Sequence, residues 1–286
     1  MPNPHFKTTV LIGVGLIGAS LVRDLLRLKM TDEVIGFDLS RRELTSAKKM
    51  QVITSVGQDL IASLGMADLI IFAVPVRTLR RMIADHGIYF SPNALAIDVG
   101  STKAAIVAEA SRCVPYGNFV GCHPMAGREK SGVLASREGL FADKQCFLSQ
   151  GTTTKPKFVK KAAAIWKAVG AKPVFLDAKK HDRILSWLSH LPHAVASALV
   201  SSLVVEFKHH PETRKLTAGG FLDTTRIAAS SPAMWREIFL DNKANVLRDI
   251  SRFKKELTRL EGFIRKDNDK GITKFMERAA RLRRSL

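Results

Sequence analysis

The residue best suited to proton transfer is a histidine in the segment Gly121–Gly127, which reads G-C-H-P-M-A-G. His123 follows a short apolar stretch, and its near-neutral pKa makes imidazole a common acid–base group. Ser101 follows another apolar stretch, in D-V-G-S-T-K. Its hydroxyl is able to hydrogen-bond the imidazole and fix its tautomer, or to cap the helix that begins near Lys103. A lone histidine in a polar turn is often structural, but its place at a strand's carboxyl end favours catalysis for His123.

A glycine-rich loop, Gly13–Gly18, points to a dinucleotide. It reads G-V-G-L-I-G, follows an apolar run and opens a helical pattern, as do loops that bind a pyrophosphate through backbone N–H groups. Asp38 lies 20 residues after Gly18, where a carboxylate binds the adenosine ribose and repels a 2′-phosphate. The alternative for Asp38 is a turn residue or a helix cap before Ser40. We therefore expect NAD, with NADP as a weaker alternative. The predicted cofactor-binding residues are Gly13, Gly15, Leu16, Ile17, Gly18, Asp38, Val74, Pro75 and Ser101.

The second half of the chain contains candidate anion-binding residues in S-H-L-P-H and F-L-D-T-T-R. His190 and His193 are three residues apart, but no cysteine or nearby glutamate completes a metal-ligand set, so we expect no metal. A histidine that contacts an anionic substrate is the stronger interpretation. Arg226 is suited to bind a carboxylate through two hydrogen bonds. The alternative is a buried ion pair with Asp223, three residues earlier.

Alternating strand and helix patterns predict the scaffold that holds these residues. Strands are predicted at 8–12, 33–37, 67–74, 95–99, 118–122, 145–149 and 173–176, and helices at 16–28, 76–85, 103–112 and 156–169. This order predicts an α/β fold with a Rossmann-type, doubly wound parallel sheet. No strand follows Asp177, so we expect a dinucleotide-binding domain at 1–176 and an all-helical domain at 177–286. There, residues 181–207 are mostly helical with an interruption at Pro192, and an apolar stripe runs from Ile250 to Ile264.

The composition limits partners and location. The net charge of +19 attracts anions, yet no nucleic-acid-binding motif accompanies it, and the basic run 266–284 is typical of a solvated helix face. The three cysteines show no C-x-x-C spacing, which fits a reducing cytoplasm. The short polar N-terminus does not read as a signal peptide. No run of 18 apolar residues was identified, so we expect no membrane span.

Together, these segments resemble the prephenate and arogenate (cyclohexadienyl) dehydrogenases of tyrosine biosynthesis. The shared elements, in the family's order, are G-V-G-L-I-G, D-V-G-S-T-K, G-C-H-P-M-A-G-R-E-K-S-G, S-H-L-P-H and F-L-D-T-T-R. They cover nearly the whole chain, and H-P-M-A-G with S-H-L-P-H is the specific combination. The resemblance implies NAD-dependent oxidative decarboxylation of prephenate to 4-hydroxyphenylpyruvate, or of arogenate to tyrosine. It also implies a homodimer formed through the C-terminal helices.

The resemblance also implies a role for each candidate. His123 accepts the proton of the substrate 4-hydroxyl, and Ser101 orients His123 beside the nicotinamide. His193 and Arg226 hold substrate carboxylates, and His190 supports the side of the site that these two residues form. Glu129 and Asp223 are gating or orienting acids. Trp235 reaches the neighbouring subunit's site, unless it is simply a core or interface aromatic residue.

Other readings of the sequence remain open. The 3-hydroxyacid dehydrogenases and pyrroline-carboxylate reductases also join a dinucleotide fold to a helical domain, although they do not need both histidine motifs. A cofactor-binding regulator or a nucleic-acid-binding protein would fit the positive charge, but neither requires a histidine–serine pair. No residue decides between prephenate and arogenate.

Overall fold

The structure is a computed structural model that describes residues 3–127 and 131–286. The chain forms two compact units. The first consists of the residues up to Leu185 together with Ala229–Asn242, and the second of Ser186–Ala228 together with Lys243–Leu286.

The described residues form the following strands and helices. The strands are β1 (Phe6–Ile12), β2 (Thr31–Phe37), β3 (Ser55–Val56), β4 (Leu69–Phe72), β5 (Leu95–Asp98), β6 (Phe119–Pro124), β7 (Gln145–Gln150) and β8 (Lys172–Phe175). The helices are α1 (Leu16–Arg27), α2 (Arg41–Lys49), α3 (Leu60–Met66), α4 (Val76–His86), α5 (Ala104–Cys113), α6 (Pro156–Ala168), α7 (Ala178–Leu185), α8 (Leu191–Ser202), α9 (Val204–His209), α10 (Gly219–Thr225), α11 (Pro232–Asp241), α12 (Lys243–Arg265) and α13 (Asp269–Arg284).

The first unit is built on one eight-stranded sheet with the order β3-β2-β1-β4-β5-β6-β7-β8. The strand order reverses direction between β1 and β4, which are parallel neighbours. In open α/β sheets, ligands bind beyond the carboxyl ends of the strands at such a switch point. Here that position is occupied by the loop that follows β1.

One strand pair departs from the predicted parallel sheet. β6 and β7 run antiparallel, with His123 opposite Phe147. The residues between these strands include a short 3-10 helix at Val133–Ala135 and no α-helix within their described part. An antiparallel neighbour needs no helical crossover, whereas parallel neighbours do. The other strand pairs of the sheet are parallel, so the fold class is as predicted.

The first unit is held together by apolar layers on both faces of the sheet. One layer packs α1 and α6 against the strands and includes Trp166 and Phe141, whose rings meet edge to face at 5.3 Å. The other contains Phe72 and Phe90 and is covered by α4 and α5. The central strands β4 and β5 are buried along their whole length, as expected for parallel strands with helices on both faces.

A late segment of the chain belongs to the first unit. Arg80 of α4 forms an ion pair with Asp241 at 3.2 Å, and the hydroxyl of Thr102 donates to the same carboxylate at 2.7 Å. Ile238 of α11 is buried in the second apolar layer. Contacts of this unit thus extend past residue 176, through α7 and again at α11. The compact units therefore do not divide at residue 176. The division into a dinucleotide-binding domain at 1–176 and a helical domain at 177–286 stays a prediction about function.

The second unit is helical, as expected. The predicted interruption at Pro192 takes the form of a five-residue π-helix, Ser186–His190, directly before α8. Pro192 then lies in the first turn of α8, where a missing N–H group is tolerated. Few side chains of this unit are buried; two of them, Ser186 and Asp249, form a hydrogen bond of 2.6 Å.

One helical run in the described part of the chain is long and apolar enough to cross a membrane. Residues Ala178–His209 reach a mean hydropathy of 1.5, and 11% of the most apolar window is buried. The run is not an uninterrupted stretch of 18 apolar residues, since polar residues such as Ser189 and His190 lie within it, so the expectation of no membrane span is not overturned. Helices in a protein core or at an apolar interface reach the same length and mean hydropathy. This finding by itself therefore indicates only that the run has a large apolar surface.

Candidate active site

The three glycines of the loop after β1 have three different surroundings. Gly13 has a φ of +90°, and a Cβ atom there would collide with the carbonyl oxygen of Ala73. At Gly18, a Cβ atom would lie 2.6 Å from the carbonyl oxygen of Gly13, so this residue lets α1 pack closely. At Gly15, nothing lies within 4 Å of the added atom. The open side of the loop is thus at the middle glycine, where a pyrophosphate approaches in dinucleotide folds.

The N-terminus of α1 is prepared for an anion. Its N-cap is Gly15, which has no capping side chain, and no acidic residue lies in the first turn. Its first N–H groups and positive dipole end are therefore available to phosphate oxygens. Leu16 and Ile17 direct their side chains into or against the apolar layer. Val74 lies beside the loop, because its Cγ1 would be 2.9 Å from a Cβ at Gly13, and Pro75 caps α4.

Asp38 joins the end of β2 to the glycine loop. One carboxylate oxygen accepts a hydrogen bond from the Val14 N–H at 2.8 Å, and the other accepts from the Ser40 N–H at 2.8 Å. The alternative role as a turn residue is thus real, since the carboxylate organises the turn before α2. It does not conflict with ribose binding, because each carboxylate oxygen can accept more than one hydrogen bond.

A buried ion pair builds the turn that contains Ser101. Asp98, the last residue of β5, accepts hydrogen bonds from the Nζ of Lys103, from the Gly100 N–H at 2.8 Å and from the Cys122 N–H at 2.9 Å. Both charged side chains are fully buried. Burial raises the pKa of Asp98, and the neighbouring Lys103 cation opposes that rise. The Asp98 carboxylate therefore links the end of β5 to β6 and holds the turn between β5 and α5, which contains Ser101.

His123 lies near the end of β6 with only 9% of its surface exposed. Its Nδ1 is 2.9 Å from Nε2 of His181 in α7, and the two rings meet edge to face. The predicted hydrogen bond from Ser101 is not present among the described residues, where His181 takes this place. His181 was not among the predicted site residues; its only signal in the sequence is the adjacent pair His181-Asp182 at the start of the helical half.

Ser101 also lacks the alternative capping role. The N-cap of α5 is Lys103, and the capping group is the carboxylate of Asp182. Its two oxygens accept from the Lys103 N–H at 2.7 Å and the Ala104 N–H at 2.8 Å. Ser101 itself is half-buried in the turn before these residues. It stays a predicted neighbour of the nicotinamide, without an assigned hydrogen bond to His123.

In the second unit, the predicted anion-binding residues share one region. His193 is half-buried and its Nδ1–H donates to the Ser189 carbonyl at 2.9 Å. Burial lowers the pKa of His193, the Ser189 hydrogen bond opposes this, and the positive charge of Arg226 lowers the pKa further. The charge of Arg226 is thus felt at the His193 imidazole. Arg226 and Asp223 are both exposed, so the alternative of a buried ion pair is wrong.

The remaining predicted residues are distributed among both units. His190 is buried at the end of the π-helix. Trp235 of α11 packs against the second apolar layer of the first unit and lies 5.3 Å from the Phe239 ring. Glu129 lies outside the described residues. Within residues 3–127 and 131–286, no three His, Cys, Asp or Glu side chains are grouped as a metal site.

The sequence matches one protein family along most of its length. Residues 21–175 match the prephenate dehydrogenase nucleotide-binding domain, and residues 177–278 match the prephenate dehydrogenase dimerization domain. Prephenate dehydrogenase from Bacillus subtilis (strain 168) is 34% identical over 281 residues, which cover 97% of this chain and 75% of that protein.

Solved structures give the same result. Prephenate dehydrogenase from Aquifex aeolicus, crystallised with hydroxyphenyl propionate and NAD+, superposes with a TM-score of 0.88 at 32% identity, covering 98% of each chain. Arogenate dehydrogenase from Synechocystis superposes with a TM-score of 0.81 at 26% identity, covering 98% of this chain and 99% of that one. The chain belongs to the prephenate dehydrogenase family of oxidoreductases.

Proposed function

We propose that this chain oxidises and decarboxylates a cyclohexadienyl acid, prephenate or arogenate, with NAD as cofactor. The observation that carries the proposal is a buried histidine, His123, at the carboxyl end of β6 in the same unit as a complete dinucleotide loop. The substrate ring has a hydroxyl at C4 and a carboxylate at C1. Loss of both a hydride and CO2 makes the ring aromatic, so the enzyme mainly orients the substrate and handles the hydroxyl proton.

NAD supplies the acceptor for the hydride that leaves C4. His123 accepts the 4-hydroxyl proton while the electron pair of the broken bond between C1 and the carboxylate enters the ring. The phenolate oxygen then takes a proton back, so prephenate and NAD+ give 4-hydroxyphenylpyruvate, CO2 and NADH. Arogenate gives tyrosine by the same steps. Neutral imidazole is suited to this task because one ring nitrogen carries a lone pair at neutral pH.

The same proposal assigns the remaining contacts. Gly13–Gly18, Val74 and Pro75 hold the cofactor, with Asp38 on the adenosine ribose and Ser101 beside the nicotinamide. In the second unit, His193 and Arg226 bind the substrate carboxylates, because the arginine is suited to bidentate contacts with them. His190 supports the side of the site that these two residues form. Asp223 and Glu129 keep their proposed roles as gating or orienting acids. Trp235 keeps its proposed role as a residue that reaches the neighbouring subunit's site.

A spectrophotometric assay of NADH formation tests this function. Prephenate and arogenate are each offered with NAD and with NADP. We expect turnover of at least one substrate, with kcat/KM at least about tenfold higher for NAD, because Asp38 repels a 2′-phosphate. A clear preference for NADP would remove the argument from Asp38. Binding of NAD without turnover of either substrate would contradict the proposed reaction itself.

We propose that the second unit forms a homodimer. The apolar stripe of α12 includes Phe253, Leu257 and Ile264, which are 38%, 56% and 58% exposed in the single chain. Polar solvent does not favour such a face, and a second copy of the chain would cover it. The part of the apolar run that belongs to the second unit, α8 and α9, is assigned to the same interface rather than to a membrane, since it lies within the segment that matches the dimerization domain. We further propose a cytoplasmic location, which suits three free cysteines.

Sedimentation analysis tests the dimer. We expect the purified chain to sediment at micromolar concentration with twice the mass of one chain. The substitutions Leu257→Glu and Ile264→Glu together should give monomers, because two carboxylates would be desolvated in the interface. Met66→Glu is the matched control, since Met66 is 64% exposed on α3 of the first unit. A monomeric wild-type protein at this concentration would contradict the proposal.

A further inference from the structure

A chain of three buried side chains leads away from the proposed proton acceptor. Asp182 Oδ1 is 2.8 Å from Nδ1 of His181, and Nε2 of His181 is 2.9 Å from Nδ1 of His123. His181 and Asp182 are 0% and 4% exposed. All three residues belong to the first unit. Both distances are those of hydrogen bonds. Which atom donates at each contact depends on the tautomers of the two histidines.

The direction of the first hydrogen bond follows from Asp182. Both of its oxygens already accept amide N–H groups from the start of α5, those of Lys103 and Ala104. A carboxylate has only lone pairs to offer, so it accepts both of these hydrogen bonds and can only accept at its third contact as well. The hydrogen between Asp182 and His181 must therefore reside on Nδ1 of His181.

The direction of the second hydrogen bond follows from the charge of His181. Burial lowers the pKa of His181; Asp182 and Asp98 oppose this, and the Lys103 cation lowers the pKa further. A neutral His181 that carries its hydrogen on Nδ1 has a lone pair on Nε2. It can only accept from His123, so Nδ1 of His123 carries the hydrogen and its Nε2 carries the lone pair. That lone pair is what a proton acceptor for the substrate hydroxyl requires.

We propose that His181, oriented by Asp182, is a positioning residue that sets the tautomer of His123. The inference rests on the proposed function only for the role of His123 as proton acceptor. A protonated His181 would donate from Nε2 and force the hydrogen of His123 onto the nitrogen that must accept the substrate proton. Neutral His181 thus keeps His123 in the reactive form before substrate arrives.

Nuclear magnetic resonance of the wild-type protein tests the tautomer without any turnover. The eight histidines are labelled with 15N, and the His123 signals are those that disappear in His123→Asn. Two-bond 1H–15N correlations distinguish a protonated from an unprotonated ring nitrogen. We expect His123 to carry its hydrogen on Nδ1 in the free protein at neutral pH. A hydrogen on Nε2 would overturn the proposal, whether or not the chain proves to be a dehydrogenase.

Two substitutions at His181 test the effect on catalysis. His181→Leu removes the acceptor, so kcat should fall at least about tenfold while KM for substrate and for NAD changes little, since only the proton-transfer step loses its prepared base. His181→Gln keeps an oxygen that can accept from Nδ1 of His123 and should restore most of kcat. His5→Leu is the matched control, because His5 is exposed before the amino end of β1. Equal kcat values in the leucine variant and the wild type would overturn the proposal. If His181→Leu does not fold, the glutamine variant and the wild-type spectrum decide.

Discussion

His123→Asn should lower kcat by about 100-fold or more, which is the usual scale for loss of a general base. The asparagine retains a polar side chain near the end of β6 but has no nitrogen lone pair able to take the 4-hydroxyl proton. KM for the cyclohexadienyl substrate should change little, because the carboxylate contacts assigned to His193 and Arg226 are untouched. Steady-state kinetics with saturating NAD measures both parameters.

The control for this variant is its affinity for NAD. The glycine loop and Asp38 lie at the ends of β1 and β2, so cofactor binding followed by fluorescence titration should match that of the wild type. A large loss of NAD affinity would mean that the substitution has disturbed the fold rather than the proton transfer. An unchanged kcat would remove His123 from the mechanism.

Lys103→Met should lower the free energy of unfolding by about 3–5 kcal/mol, the range for an ion left buried without its partner. Lys103 and Asp98 are both fully enclosed, so no water can replace the lost ammonium group. The loss should shrink as the pH is lowered, because the folded-state pKa of Asp98 is already raised by burial and rises further without Lys103. Protonation then removes the unpaired charge in the folded state. Urea denaturation at several pH values measures this dependence.

Two further variants separate the buried charge from other effects of this substitution. Adding Asp98→Asn to Lys103→Met should recover part of the stability, since it removes the unpaired charge and its amide oxygen can still accept from the Cys122 N–H group, at the loss of the Gly100 hydrogen bond to the other carboxylate oxygen. Lys172→Met removes a lysine that forms an ion pair at 3.0 Å with the exposed Asp143, and it should change stability little. Equal losses in the two single variants would show that the buried pair has no special role.

The fold was largely readable from local patterns. Uninterrupted apolar runs predicted the central strands, and the apolar spacing in 250–264 predicted the long helix α12. The family resemblance is confirmed by the matches over residues 21–175 and 177–278. Two features had no local signal. The antiparallel direction of β7 depends on the path of the long connection from β6. The helix α11 joins the first unit through an ion pair and a hydrogen bond from Asp241 to residues far away in the sequence.

The candidate site was readable only in part. The glycine loop and Asp38 belong to one strand-helix-strand unit, β1-α1-β2, so their spacing in the sequence was enough to predict that they lie close together. His181 lies 58 residues from His123, and packing of α7 brings the two rings together. Ser101 was assigned the orienting hydrogen bond because it follows the strand predicted next to that of His123 and because the family resemblance implies this role. The sequence around Lys103 does not predict that its side chain is buried. The burial is tolerated only because the turn brings the Asp98 carboxylate against the ammonium group, and this contact is not visible in the sequence.

Because the three loop glycines have different surroundings, substitutions at Gly13, Gly15 and Gly18 should differ in their effect on the amount of protein in a cell. Added methyl groups at Gly13 and Gly18 strike backbone oxygens, so variants there fail in folding and are removed by proteases. A methyl group at Gly15 meets nothing within 4 Å in the protein. We expect its conflict to be with the pyrophosphate that we propose to bind there. A Gly15 variant should therefore accumulate at normal abundance as a full-length protein with weakened cofactor binding.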